Sequence, residues 1–168
     1  MEDPDLDPSF QVLMMLLNTF TGPVTPGIVT GLLIMLLLLV FSAAISGSEI
    51  AFFSLNPAQL SELRNNQSNK SQLILLLLEK PKRLLATILI ANNFVNVAIV
   101  IISSYVMTGL FDFSNSPLLG FLVQVVIVTS LILLFGEIMP KIYATQNAMM
   151  ATHIMARPLL ILRRIFYP

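Results

Sequence analysis

Apolar residues run through this chain in three long blocks. Residues 28–53 hold a single charged side chain, Glu49; residues 84–107 hold none; residues 118–135 hold none and continue into Gly136-Glu137-Ile138-Met139-Pro140-Lys141. A helix needs about 20 predominantly apolar residues to cross the hydrocarbon of a bilayer. The pattern therefore predicts three spans, at about 28–53, 84–107 and 118–138. Two shorter apolar runs, 10–17 and 73–78, fall below that length and predict interfacial or re-entrant segments.

The polar stretches carry their own punctuation. Asn56 followed by Pro57 predicts a helix start, with the asparagine as N-cap and the proline at the first helical position. That helix runs to about Arg64, Asn65-Asn66-Gln67-Ser68-Asn69 is a turn, and residues 72–78 form a second short helix before Pro81 opens the second span. Residues 56–83 thus read as a helical hairpin lying at, or dipping into, the inner leaflet. Residues 148–168 mix Met, Ile and Leu with Arg157, Arg163 and Arg164, as a basic amphipathic helix on the membrane surface does, and Pro158 is expected to kink or divide it. The expected architecture is an all-α integral membrane domain with three regions. Residues 1–27 are an extracellular acidic tail with a short interfacial segment, 28–147 the three-span domain, and 148–168 a cytoplasmic juxtamembrane helix leading onward.

Composition removes the alternatives. Charged residues make up 11% of the 168, against roughly 25% in a soluble domain, so a water-soluble globule is excluded. The absence of cysteine excludes disulfides, iron–sulfur clusters and thiolate zinc sites, and one histidine, His153, cannot build a histidine cage. The nine basic residues fall in two segments: Arg64, Lys70, Lys80, Lys82 and Arg83, then Lys141, Arg157, Arg163 and Arg164. The N-terminus carries Glu2, Asp3, Asp5 and Asp7 instead. Basic segments stay cytoplasmic. Three spans then put the N-terminus outside and the C-terminus inside, in a multi-pass protein of the plasma membrane.

Polar residues inside the spans carry the chemistry, because lipid demands the apolar ones. Ser42, Ser46 and Glu49 share one face of the first span, Gly47 beside them leaves room for another backbone or an ion, and Ser48 points elsewhere. Asn92 and Asn96 lie one turn apart on the second span with Ser103 further along, and Asn93 is turned by about 100°. On the third span Ser130 and Glu137 are seven residues apart, and Gly136 and Pro140 bracket Glu137, loosening the helix and freeing carbonyls. A plainer reading stands beside each. Intramembrane Ser and Asn stitch helices together, Glu49 reaches the interface, and Glu137 pairs with Lys141 one turn on. Hydroxyl, amide and carboxylate oxygens without sulfur or imidazole otherwise suit a hard cation: magnesium, calcium, manganese or sodium.

Three segments resemble the motifs of one family. Ser46-Gly47-Ser48-Glu49-Ile50-Ala51-Phe52-Phe53-Ser54-Leu55, Leu84-Leu85-Ala86-Thr87-Ile88-Leu89-Ile90-Ala91-Asn92-Asn93-Phe94-Val95-Asn96 and Phe135-Gly136-Glu137-Ile138-Met139-Pro140-Lys141 resemble, in order, the span motifs of the CorC/CNNM (cyclin M) transmembrane domain. The resemblance implies Mg2+ transport, usually export coupled to Na+ entry. It also implies a homodimer with three spans per subunit, a re-entrant hairpin, and cytoplasmic CBS modules following the membrane domain. Motif matching puts the family's ion site on Ser46, Asn92, Asn96 and Glu137, with Ser48 competing with Ser46. Ser42, Gly47, Ser48, Glu49, Asn93, Ser103, Ser130 and Gly136 are further candidates along the ion path. The chain stops at Pro168 without a CBS pair, so it is expected to be an excised membrane domain.

The expected function is Mg2+ export in exchange for Na+ by alternating access. Glu49 and Glu137 would ring a cytoplasmic cavity, and lipid and a second subunit would be the partners of this chain. An ion-sensing membrane anchor that biases a cytoplasmic domain without transport is the alternative. No nucleic-acid partner is expected. An enzyme is disfavoured: serine hydrolysis needs a base beside the nucleophile, and no His or Lys lies within a span. No Walker-type loop is present to support ATP-driven pumping.

Overall fold

The computed structural model describes residues 25–66, 68–111, 113 and 117–166. The acidic tail and the short interfacial run at 10–17 lie outside these residues, as does the terminal Tyr167-Pro168. The described residues are predominantly helical and contain no strand. In chain order the elements are α1 (Pro26–Phe53), α2 (Pro57–Asn65), α3 (Asn69–Leu78), α4 (Pro81–Leu110), α5 (Pro117–Leu131), a π-helical segment (Ile132–Ile138), α6 (Met139–Gln146) and α7 (Ala148–Phe166). Three stretches are long and apolar enough to span a bilayer: α1, α4, and α5 through α6 taken together. The protein is a multi-pass membrane protein built from these helices.

Local chemistry sets the helix starts. Thr25 caps α1, its hydroxyl oxygen accepting from the Ile28 amide at 3.4 Å, and Pro26 stands in the first turn, where no N–H is required. Asn56 caps α2 in a reciprocal box: its side chain accepts from the Gln59 amide at 2.8 Å, and Gln59 accepts from the Asn56 amide at 3.0 Å. Ser68 caps α3 three residues earlier than the sequence pattern predicts, accepting from the Ser71 amide at 3.2 Å. The hydroxyl cap satisfies a first-turn donor and so lets the polar Asn69-Lys70-Ser71 join the helix.

Burial is concentrated at the basic end of the molecule. Phe52 of α1, Leu63 of α2, Ile74 and Leu77 of α3, Leu84 and Ile88 of α4, and Met155, Ala156 and Leu159 of α7 form one apolar cluster. α7 packs across α1, α3 and α4. Pro158 lies within α7, and of the two outcomes expected from sequence, a kink or a division, division does not occur. Its neighbours Ala156 and Leu159 are buried, so packing on both sides of the proline offsets the missing backbone hydrogen bond. Leu33, Leu36, Leu37 and Val40 of α1 are exposed, with Phe94, Val97 and Ile101 of α4 and Phe121 and Val126 of α5. In lipid such outward apolar faces are the solvated state.

The third span changes register where it meets the polar site. The Met139 amide donates to the Leu134 carbonyl, five residues back instead of four. Pro140 has no amide to donate, and its ring would press on the carbonyl of Gly136 in a regular α-helix. The widened turn removes that clash, in keeping with the use of π segments at functional positions. The Phe135 carbonyl thereby loses its usual donor, Met139, and gains none from Pro140.

Candidate functional site

The site is assembled from one stretch of each span. α1, α4 and the third span run their polar positions to a common depth. At 1.5 Å per residue, Ser42, Asn92 and Glu137 lie about 14–17 Å from the basic ends of their helices. Side chains far apart in sequence therefore meet in one layer, toward the basic side of the bundle.

Within that layer four residues form one hydrogen-bonded cluster. The Ser42 hydroxyl lies 2.8 Å from Oδ1 of Asn96 and 3.1 Å from Oδ1 of Asn92, and donates its proton between them. On the other side the Asn96 amide donates to Oε1 of Glu137 at 3.1 Å, and the Asn92 amide approaches the same oxygen at 3.5 Å. The assignment of amide oxygen and nitrogen follows this network: the carboxylate only accepts and the hydroxyl can donate. Partially positive amide hydrogens thus stand in front of a carboxylate. Ser42 is fully buried, and Asn92, Asn96 and Glu137 are half-buried.

Ser46 follows Ser42 by one turn on the same face and is buried, and its hydroxyl has no hydrogen-bond partner. Almost all buried polar atoms are paired, so an orphan hydroxyl needs a reason. Ser48, also buried, donates to the Ile45 carbonyl at 2.5 Å, within its own helix. The two serines are therefore not equivalent: one is turned back on the α1 backbone, and the other is unspent.

Two glycines let the helices close on this layer. A Cβ on Gly136 would sit 3.1 Å from the Ser42 hydroxyl, and a Cβ on Gly47 would sit 3.2 Å from the Pro140 carbonyl oxygen. Both distances are tighter than ordinary van der Waals contact, so only hydrogen fits without displacement. Small residues at such crossings permit close backbone approach in membranes.

Other candidates fall elsewhere. Glu49 pairs with Lys141 at 3.0 Å, linking α1 to α6, with 25% and 38% of the respective side chains exposed. Lys141 is therefore committed to Glu49, and the sequence-based alternative of a Glu137–Lys141 pair within one helix is not what forms. Glu49 lies about one turn beyond Ser46 along α1, toward the basic end of the helix. Asn93 is exposed on the outer face of α4 beside Phe94. Ser103, about two turns beyond Asn96, donates to the Val100 carbonyl at 2.7 Å, and Ser130 is exposed. These three are not brought into the cluster. For Ser130 the reason is the π segment, which rotates Glu137 away from the face an unbroken helix would give it. Sequence reasoning ranked Ser42 below Ser46, whereas Ser42 touches both asparagines; its i, i+4 spacing to Ser46 was the available signal. The change of Lys141's partner had no sequence signal, because it depends on how α1 crosses α6.

The cluster offers one carboxylate, two amides and two hydroxyls. Among the described residues no group of three His, Cys, Asp or Glu approaches closely enough to hold a metal. What it can hold is a hard cation on mixed oxygen ligands with a single formal negative charge.

A family profile described as the cyclin M transmembrane N-terminal domain matches residues 33–168. A UPF0053 protein of Haemophilus influenzae is 35% identical over 139 residues, covering 81% of this chain and 31% of that protein. The UPF0053 inner membrane protein YfjD of Escherichia coli is 30% identical over 103 residues, covering 61% of this chain and 23% of that protein. The chain spans less than a third of the length of these curated relatives.

Proposed function

The chain belongs to the cyclin M (CNNM) transmembrane-domain family, and from that premise we propose that it is the ion-conducting membrane domain of a Mg2+ transporter. The observation that carries the reading is the convergence of Ser42, Asn92, Asn96 and Glu137 from three spans, with the unpartnered Ser46 hydroxyl one turn away. An exported ion is loaded from the basic, cytoplasmic side. Mg2+ prefers six oxygens at about 2.0–2.1 Å and dehydrates reluctantly. Glu137 supplies charge and the amides supply neutral oxygens.

The orientation of the two amides gives a route for loading. Amide hydrogens of Asn92 and Asn96 now occupy the front of Glu137. Rotating each amide half a turn presents Oδ1 to an incoming cation and turns Nδ2 toward Ser42, whose hydroxyl can accept as well as donate. The ion thus replaces the amide hydrogens in front of Glu137, and each amide nitrogen still has an acceptor in both states. A single carboxylate keeps binding reversible, as transport requires. Inward Na+ movement supplies the energy for expulsion by favouring the Mg2+-free state; this coupling rests on the family. In full-length form, cytoplasmic regulatory domains of the same chain would be further partners.

The working unit is a homodimer in the plasma membrane, each subunit carrying its own site. Asn93 supports this, because an amide on an outward α4 face is costly in lipid until a partner meets it. The N-terminus is extracellular and the C-terminus cytoplasmic. A cysteine replacing Asn66, in the connection after α2, should react with an impermeant maleimide only from the inside, and one replacing Asn115, in the connection after α4, only from the outside. Reversed labelling would overturn the orientation.

Flux tests the proposal directly. Proteoliposomes loaded with Mg2+ should release it when an inward Na+ gradient is imposed with the protein's basic side facing the lumen, and Glu137→Ala should abolish the release. Binding of Mg2+ without any flux would instead favour an ion-sensing membrane anchor.

A further inference from the structure

At the basic end of the bundle, away from the ion site, a groove of about 330 Å³ opens between α3 and α7. Among the described residues it is lined by Asn69, Lys70 and Leu73 from α3 and by Arg157, Leu160 and Ile161 from α7. The two helices present the same pattern. On each, a cation is followed three or four residues later by apolar side chains, Lys70 by Leu73 and Arg157 by Leu160 and Ile161, so charge and apolar surface share one helix face. Neither cation has a carboxylate within ion-pair distance among the described residues, where the one ion pair joins Lys141 to Glu49. Arg163, one to two turns further along α7, is instead turned onto the Leu76 carbonyl at 3.4 Å.

From this geometry we infer that the groove binds the headgroup of an anionic glycerophospholipid. The phosphate lies between Lys70 and Arg157, the Asn69 amide is within the same lining, and an acyl chain runs over Leu73, Leu160 and the exposed Ile161. Two unpaired cations call for an anion, and the apolar floor calls for a hydrocarbon tail attached to it. A free phosphate satisfies only the first. A guanidinium offers a phosphate two parallel donors and an ammonium adds a point charge. The groove also joins α3 of the hairpin to α7, so the bound lipid bridges the two elements that pack beneath the ion-carrying spans.

Native mass spectrometry of the chain in mild detergent, with dioleoyl phosphatidylglycerol or dioleoyl phosphatidylcholine added at equal concentration, tests the inference. Each Lys or Arg near an anionic lipid is worth about a fivefold change in binding. The wild type should therefore retain phosphatidylglycerol in preference, and Lys70→Ala with Arg157→Ala together should cut that preference roughly twenty- to thirtyfold. Lys82→Ala, which removes a cation that does not line the groove, should leave it unchanged, as should the charge-conserving Lys70→Arg. Millimolar inorganic phosphate should fail to displace the lipid. Equal retention of the two lipids, an unaltered preference in the double variant, an equal loss in Lys82→Ala, or displacement by phosphate would each overturn the assignment.

Discussion

Glu137→Ala is expected to abolish Mg2+-dependent stabilisation while leaving the fold intact. A ligand that binds only the folded state at a hundred times its dissociation constant stabilises it by about 2.7 kcal/mol. For a chain of this length that is a rise in melting temperature of roughly 5–10 °C. Glu137 is the one carboxylate in the cluster, and it is the group on which both asparagine amides converge. Without it, neutral amides and hydroxyls cannot offset the dehydration of Mg2+. The alanine variant should therefore shift by less than about 1 °C over the same Mg2+ range. Without ion it should melt near the wild type, because Ser42 still holds both amide oxygens.

The same titration on Ser46→Ala and Ser48→Ala separates the two serines. Removing the unpartnered Ser46 hydroxyl should leave ion-free stability unchanged or slightly raised, because a buried polar atom without a partner is lost. Its Mg2+ response should nevertheless weaken. Ser48→Ala loses only a bond to its own helix and should respond like the wild type. A wild-type Mg2+ shift in Glu137→Ala would place the ion elsewhere, and Glu137 would then be an acceptor that merely ties α4 to the third span.

The second large effect is expected at a residue with no ligand atom on its side chain. Gly136→Val puts a branched side chain where even a Cβ lies 3.1 Å from the Ser42 hydroxyl and 3.6 Å from its Cβ. The π segment and α1 must then separate, or Ser42 must leave the asparagines. Overpacking of this kind costs about 1–3 kcal/mol, a fall of roughly 3–10 °C in melting temperature. More tellingly, the Mg2+ response should disappear although every oxygen of the cluster is still encoded. Leu133→Val, on the lipid-facing side of the same segment, should alter neither quantity. Retention of the wild-type Mg2+ response in Gly136→Val would show that closure of α1 on the π segment is not required for binding.

Much of this molecule is legible in one dimension because a membrane imposes simple rules. The bilayer's thickness sets the length of the apolar runs, so the three spans can be counted. Proline residues mark Pro57 and Pro81 as helix starts. Intramembrane Asn92, Asn96 and Glu137 stand out because lipid makes polar groups costly. Their periodicity put both asparagines on one helix face, and three ordered motifs pointed to the family.

What sequence could not supply was the relation between helices. Spacing along one helix offered Lys141 to Glu137, but the crossing of α1 over α6, allowed by Gly47 against the Pro140 carbonyl, delivers it to Glu49. Spacing also aligned Ser130 with Glu137, and the π segment breaks that alignment. Ser42 and Ser46 are indistinguishable as letters, yet one is bonded to two asparagines and the other is left without a partner. The physical reason is common to all three. Hydrophobic length and helical period are properties of a segment and its solvent, so the sequence alone determined the three spans and the polar faces of the first two. Which side chains meet depends on crossing geometry and local register, set by contacts between segments, and only the tertiary structure decided that.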